Sequence, residues 1–254
     1  EISAKIGFGQ NFLMDDKAIE KMEEAIFSFN NPIIAEIGCG LGSLTFGLVN
    51  KAEKVIGYDI DKDMLNVLRN EMTYSNFELR EEDFLKADIS DLAEKKAFIA
   101  GNLPYNITKR ILEKIIAYPY PFCFGIMVQK EVALRFSASV NSHEYNSLTV
   151  FLNYYYDIKK LVNVPRNVFV PVPNVDSVVI ELKKKENKLY VKNEKVFFKL
   201  VRDSFKFKRK TLKNNLRDYD LDKIEKILME SGLSLQVRAE ALSLEMFVKI
   251  ANGL

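Results

Sequence analysis

The sequence predicts an α/β domain, a mostly parallel sheet with helices on both faces, followed by a small helical C-terminal domain. Three observations carry that prediction. Short apolar runs recur at residues 32–37, 54–58, 77–80, 97–100 and 122–128, with helix-like stretches between several of them. A continuous apolar run is what a parallel strand buried on both faces requires. Gly38, Gly40 and Gly42 follow the first run directly, so a strand, a glycine loop and a helix-like segment (residues 43–50) succeed one another. Beyond Lys183 the run KKKENK breaks the apolar pattern, and the remainder has helical periodicity as far as Leu254. The boundary falls near residues 184–188 and divides the chain into residues 1–185 and 186–254.

Composition narrows the class. A chain of 254 residues at 48% hydrophobic content can bury one good core and carry a small appendage. Two cysteines (Cys39 and Cys123) and one histidine (His143) supply neither a disulfide framework nor a zinc cluster. A reducing compartment and metal-free chemistry are expected. There is no apolar run of about 18 residues, and residues 1–10 lack the apolar core of a signal peptide. A cytoplasmic protein without a membrane span, acting as a monomer, is the expectation. The net charge of +2 conceals an acidic stretch at residues 80–94 and a strongly basic one at residues 199–217.

In chain order, residues 5–13 read KIGFGQNFL, a glycine-containing arm leading into an amphipathic stretch at residues 16–29. The spacing GxGxG at residues 38–42 departs from the GxGxxG of dinucleotide-binding loops, although glycines there still let backbone approach a ligand closely. Glu36, at the end of the first strand, points the same way. A carboxylate repels a pyrophosphate but attracts the ammonium of an amino-acid-like cofactor, which favours S-adenosylmethionine. About twenty residues past the loop the second strand ends at Asp59, followed by Ile60, where an acid can accept from both ribose hydroxyls. The third leads to Asp83 and Phe84, a carboxylate for an adenine amino group and an apolar neighbour for its ring. Each acid taken singly reads as a solvated loop charge. Together with Asn102 they fall at the carboxyl ends of successive strands, where open α/β sheets bind ligands.

Asn102, Leu103, Pro104 and Tyr105 follow the fourth run and precede a helix-like stretch at residues 108–117. A polar acceptor on a stiffened turn beside an aromatic ring suits chemistry on a weakly nucleophilic aromatic amine. Acceptors aimed at its N–H bonds favour the pyramidal, attacking form. Residues 131–137 read as a helix, and residues 148–156 and 177–182 as strands separated by a stiff loop with Pro165, Pro171 and Pro173. That loop is expected to present Phe169 to solvent or to a cleft. In the basic tail Lys206, Lys208, Arg209, Lys210 and Lys213 alternate with Phe205, Phe207 and asparagines, with few acids to neutralise them. Contact with nucleic-acid phosphate is the expected use.

These segments resemble the small-subunit (16S) ribosomal RNA adenine N6,N6-dimethyltransferases of the KsgA type. The resemblance rests on FGQNFL, EIGCGLGSLT, GNLPYNIT, VQKEVALRF, EYNSL, the VP...F.P.P.VDS pattern, FKRKTLKNNL and RAEALSLEMF, which together span nearly the whole chain. It implies a Rossmann-like class I S-adenosylmethionine-dependent methyltransferase domain with a small helical C-terminal domain. It assigns cofactor contacts to Asn11, Leu13, Gly38, Asp59, Asp83 and Asn102, and a base sandwich to Tyr105 and Phe169. The implied substrate is two adjacent adenosines in the 3′ terminal hairpin loop of 16S rRNA on a small-subunit precursor. Cys39 stands where proline is commoner, Asp59 replaces the usual glutamate, Thr108 sits where serine is frequent and Val172 interrupts a triple proline. None removes a functional group. The alternatives are a macrolide-resistance large-subunit rRNA methyltransferase, a DNA adenine methyltransferase and a non-enzymatic nucleic-acid-binding or transcription factor relative.

Overall fold

The computed structural model describes residues 12–13, 15–30, 32–103 and 106–254. It divides into two compact units, one taking in the chain up to Ala133 with Asp157–Lys184, the other Leu134–Tyr156 with Lys185–Leu254. The segment Leu134–Tyr156, which the sequence pattern keeps in the first domain, thus groups with the C-terminal helices.

The first unit is built on a seven-stranded sheet. Its elements are β1 (Phe12–Leu13), α1 (Asp16–Phe27), β2 (Ile33–Ile37), α2 (Thr45–Val49), β3 (Lys54–Tyr58), α3 (Lys62–Glu71), β4 (Phe77–Arg80), α4 (Ser90–Glu94), β5 (Phe98–Asn102), α5 (Thr108–Ala117), β6 (Phe124–Gln129) and the start of α6 (Lys130–Phe136). Three strands later in the chain complete it: β7 (Tyr156–Val164), β8 (Phe169–Val170) and β9 (Ser177–Lys184). The strand order is β4-β3-β2-β5-β6-β9-β7, with β1 and β8 paired separately. β2 to β6 run parallel, and β9 closes antiparallel on β6. Four of the apolar runs, β2, β3, β5 and β6, are almost wholly buried, while β4 at the sheet edge is half-buried. Ile34, Val55, Phe98, Ala100, Met127 and Val179 bury their side chains with Met22 and Ile26 of α1 and Leu48 of α2. The chain leaves β2 toward β3 and β4 on one side and returns to β5 and β6 on the other. The carboxyl ends of β2 and β5 therefore flank a topological switch point, the crevice where open α/β sheets take their ligands.

The second unit contains α7 (Ser147–Tyr155), α8 (Glu194–Ser204), α9 (Leu212–Asn215), α10 (Leu221–Met229) and α11 (Leu244–Gly253) around Phe197, Leu200, Leu216, Leu228 and Phe247. Here the structure corrects the expectation from sequence: residues 148–155 belong to a helix, not a strand. Their β-branched and aromatic side chains favour a strand, but a capping box fixes the helical start. Asn146 Oδ1 accepts from the backbone N–H groups of Leu148 and Thr149, and the Asn146 N–H donates to Thr149 Oγ1 at 3.1 Å. The helix is apolar nearly all round because it is buried nearly all round. The strand after it, β7, escapes the apolar pattern because all its residues between the buried ends Tyr156 and Val164 are exposed or half-buried. The basic run is not a helix face either. Residues 205–211 form turns between α8 and the four-residue α9. No helix among the described residues is long and apolar enough to cross a membrane.

Candidate active site

The four carboxyl ends β4, β3, β2 and β5 bring the predicted acids and Asn102 to one edge of the sheet. Glu36 lies within β2, paired with Gly57 and Ala100; Asp59 follows β3; Asp83 follows β4; Asn102 is the last residue of β5. The glycine loop starts directly after β2, with Gly38 (φ 75°), Gly40 (φ 54°) and Gly42 (φ 86°) in the left-handed region that side chains disfavour.

Asp59 is fixed by the loop it faces. Its Oδ2 accepts from the Gly40 N–H at 2.8 Å, and its Oδ1 accepts from the N–H groups of Ile60 at 2.8 Å and Asp61 at 3.0 Å. Burial pushes its carboxyl above the usual range, and the three N–H donors pull it back. Oδ1 is thus filled by two donors, and Oδ2 keeps one lone pair that a ribose hydroxyl can use. Ile60, 46% exposed beside it, offers an apolar face.

Glu36 differs from its expected state. Only 2% exposed, it has an oxygen, Oε2, without a hydrogen-bond partner, and burial drives its carboxyl up to about 8. The Thr45 hydroxyl lowers that value and the charge of Asp59 raises it. Thr45 Oγ1 does not reach full hydrogen-bond geometry with any group. At neutral pH the carboxyl alone is mostly neutral, and it ionises readily only when a cation joins it.

Asp83 opens a tight turn: its Oδ1 accepts from the Leu85 N–H at 2.9 Å and its carbonyl from Lys86 and Ala87. The neighbouring ring of Phe84 is not free to sandwich a cofactor, because it is buried edge-on against Tyr58, centroids 5.1 Å apart at 88°. Sequence reasoning missed what braces this turn. Lys114 of α5 donates to the carbonyls of Phe84 and Ala87, both at 2.5 Å, and its Nζ lies 5.2 Å from the Phe84 centroid. On the other side, the Arg80 guanidinium lies 5.4 Å from the Tyr58 centroid, donates to the Tyr58 hydroxyl at 2.6 Å, and forks onto Asp91. That pairing holds Asp91 well below the usual carboxylate range. No periodicity announces such contacts, since Lys114 reads simply as the basic end of an amphipathic helix.

Asn102 is half-buried, and Leu103, buried, donates its N–H to the Met127 carbonyl at 3.2 Å, extending the β5–β6 ladder past the end of β5. Pro104 and Tyr105 lie outside the described residues, as does Asn11. Leu13 pairs through its backbone with Phe169 in the small sheet of β1 and β8. Phe169 itself departs from expectation. It is fully buried in the core with Met127, Val164 and Val179 instead of standing exposed in its proline loop. The large apolar side chains that the loop does expose are Val170 and Val172. The 3₁₀ turn Arg166–Val168 that precedes it is pinned by Asp176, which accepts from the Arg166 N–H. Among the described residues no cluster of three or more histidines, cysteines or acids could hold a metal ion.

A mostly parallel, switch-point sheet with a glycine loop, a strand-end acid holding that loop, and an asparagine at the fourth strand end defines a class I, S-adenosylmethionine-dependent methyltransferase. Comparison with known proteins then places it more narrowly. Residues 2–254 match the family described as ribosomal RNA adenine dimethylase, and the chain belongs to that family. It is 41% identical over 245 residues to the ribosomal RNA small subunit methyltransferase A of Mycoplasma mobile, covering 96% of this chain and 95% of that one. It is 39% identical over 251 residues to the protein of the same name from Clostridium botulinum (strain Langeland), covering 96% and 91%. Among solved structures, a dimethyladenosine transferase from Plasmodium falciparum superposes with a TM-score of 0.75 at 28% identity, covering 94% of this chain and 95% of that one. The 23S rRNA methyltransferase ErmE superposes at 0.72 with 24% identity over 96% of this chain and 99% of that one, a likeness of fold.

Proposed function

We propose that this enzyme transfers methyl groups from S-adenosylmethionine to N6 of two adjacent adenosines in the 3′ terminal hairpin loop of small-subunit (16S) rRNA, dimethylating each. Relatives named for the small subunit, matched over nearly their full length, support the substrate. The observation that carries the chemistry is the shared edge of the sheet: Asp59, already oriented by three N–H donors, Asp83 on its braced turn, and Asn102 at the end of β5 across β2 from them.

When bound, S-adenosylmethionine supplies an electrophilic methyl carbon on a sulfonium. The residues present fit it: Asp59 accepts from the ribose hydroxyls, Asp83 from the adenine amino group, and Glu36, with an oxygen to spare, meets the ammonium. The glycine loop, Leu13 and Asn11 complete the cradle. Asn102 Oδ1 and the Leu103 carbonyl accept the N6 hydrogens of the target base, favouring the pyramidal nitrogen that attacks. Catalysis is mainly positioning, and the proton leaves to solvent. Pro104 stiffens the turn, and Tyr105 with Phe169 stacks the unpaired base. Since Phe169 is buried, that stacking requires its neighbours to part. Lys206, Lys208, Arg209, Lys210 and Lys213, all exposed, grip rRNA phosphate on the small-subunit precursor. The enzyme acts in the cytoplasm as a monomer.

The decisive experiment offers labelled donor with immature small subunits, large subunits or naked DNA. Label entering only small-subunit rRNA, as N6,N6-dimethyladenosine, and lost in Asn102→Ala with the fold retained, is the expected result. Label in large-subunit rRNA would assign the chain to the macrolide-resistance class instead.

A further inference from the structure

A single exposed apolar side chain is ordinary on a protein surface. Phe207, 57% exposed, is not ordinary in its setting. Residues 205–217 contain six basic side chains (Lys206, Lys208, Arg209, Lys210, Lys213 and Arg217) and no acid. The turn that carries the ring is stitched from inside by one amide. Asn215, at the end of α9, donates from Nδ2 to the carbonyls of Ser204 at 2.8 Å and Phe207 at 3.2 Å, with a longer contact to Lys210. Its Oδ1 accepts from the Phe207 N–H at 3.2 Å. The Lys210 N–H also donates to the Phe207 carbonyl at 2.9 Å. Both backbone polar groups of Phe207 are thus used to fix the position of a ring that packs into no core. Lys206 Nζ lies 5.6 Å from the ring centroid, and Lys208, the residue after Phe207, donates from Nζ to the His143 carbonyl at 3.0 Å.

A rigid aromatic ring held up among cations matches what unpaired RNA presents, a π-face beside phosphates. Every base has such a face, so a ring of this kind binds without reading sequence, and its pre-ordered turn means little ordering remains to be done on binding. We infer that Phe207 is a stacking platform for an unpaired rRNA base, at a second contact on the C-terminal unit that is not the base being methylated. This rests on the reading that the basic run meets rRNA, and adds to it a contact that releases no counterions.

The chain contains no tryptophan, so Phe207→Trp places a single fluorescent reporter at the site. Binding of full-length variants to immature small subunits is measured at several salt concentrations. Phe207→Ala and Phe207→Leu should bind roughly tenfold more weakly with an unchanged salt slope, and the Phe207→Trp reporter should be quenched on binding. Lys208→Gln/Arg209→Gln/Lys210→Gln should flatten the slope by roughly two to three, since each phosphate contact contributes about 0.7 to 0.9. Affinity of Phe207→Ala within twofold of wild type, wild-type binding by Phe207→Leu, or an unquenched tryptophan would overturn the platform. An unaltered slope in the triple variant would instead overturn the phosphate reading beneath it, a result the quenching does not mimic.

Discussion

Gly101 and Ile37 approach so closely that a Cβ on Gly101 would stand 2.5 Å from the Ile37 carbonyl oxygen. Gly101 also holds φ at 148°, within the region that only glycine adopts without strain. This contact sits at the carboxyl ends of β2 and β5, one residue before Asn102 and one before the glycine loop. It sets how near Asn102, the base-contacting residue of the proposed function, comes to the glycine loop. Gly101→Ala must move one backbone away from the other. Destabilisation on the order of 1–3 kcal/mol is expected from the strained backbone alone, and methylation should fall more steeply than stability. Thermal unfolding and single-turnover methylation check both; near wild-type turnover would mean that the spacing of these strand ends does not matter to the chemistry.

Asp59 has two roles in the proposed function, and removing its carboxylate removes both. Its carboxylate accepts from three backbone N–H groups and also meets the ribose hydroxyls in the proposed function. Asp59→Ala leaves the Gly40 N–H unsatisfied and removes a charge-assisted acceptor, so donor affinity by calorimetry should fall tenfold or more. Unchanged affinity would place the cofactor elsewhere.

Much of this is legible in the sequence, and for a physical reason. Strands buried on both faces advertise themselves as apolar runs, and a parallel sheet puts their carboxyl ends together, so Glu36, Asp59, Asp83 and Asn102 can be assembled from order alone. Gly101 also carries a signal, since a glycine inside a strand marks close backbone approach. The features that escape depend on contacts between distant residues. The helix α7 hides in strand-like composition because burial overrides propensity, and Phe169 looks exposed because its prolines describe the loop's stiffness but not the direction of the ring. Lys114 and Asn215 brace turns 27 to 30 and 5 to 11 residues away, respectively, by donating to backbone carbonyls that have no side-chain signature.

In the proposed function Lys114 is a positioning residue for the cofactor end of the site. It joins α5 to the carbonyls of Phe84 and Ala87 in the turn opened by Asp83. Burial lowers its pKa, while the charges of Asp83, Glu82 and Asp88 raise it. Lys114→Met keeps the apolar stem and removes the donors. Donor affinity should weaken several-fold, while turnover at saturating donor stays within about twofold, because the target base does not touch this turn. Lys114→Arg should recover part of the affinity. An equal fall in both parameters would mean general damage instead of a loosened turn.

Glu36 yields a pH-dependent prediction whose sign is opposite to that of most carboxylates. Its folded pKa of about 8 lies above its ordinary value near 4.5, so the folded chain holds a proton that the unfolded chain has lost between those limits. The contribution to stability is fully present below about pH 4.5 and is lost as pH rises through about 8. Donor-free protein should lose stability on the order of a few kcal/mol across that window relative to Glu36→Gln, which has no proton to lose there. Donor binding gives a second readout. At pH 7 an ammonium meeting the buried carboxyl should expel its proton, up to one per molecule bound, detectable by calorimetry in two buffers of different ionisation enthalpy. Glu36→Gln should release none and bind more weakly. If wild type and Glu36→Gln exchange the same number of protons on binding, the ammonium is not held by Glu36, and the buried carboxyl only shapes the floor beneath the glycine loop.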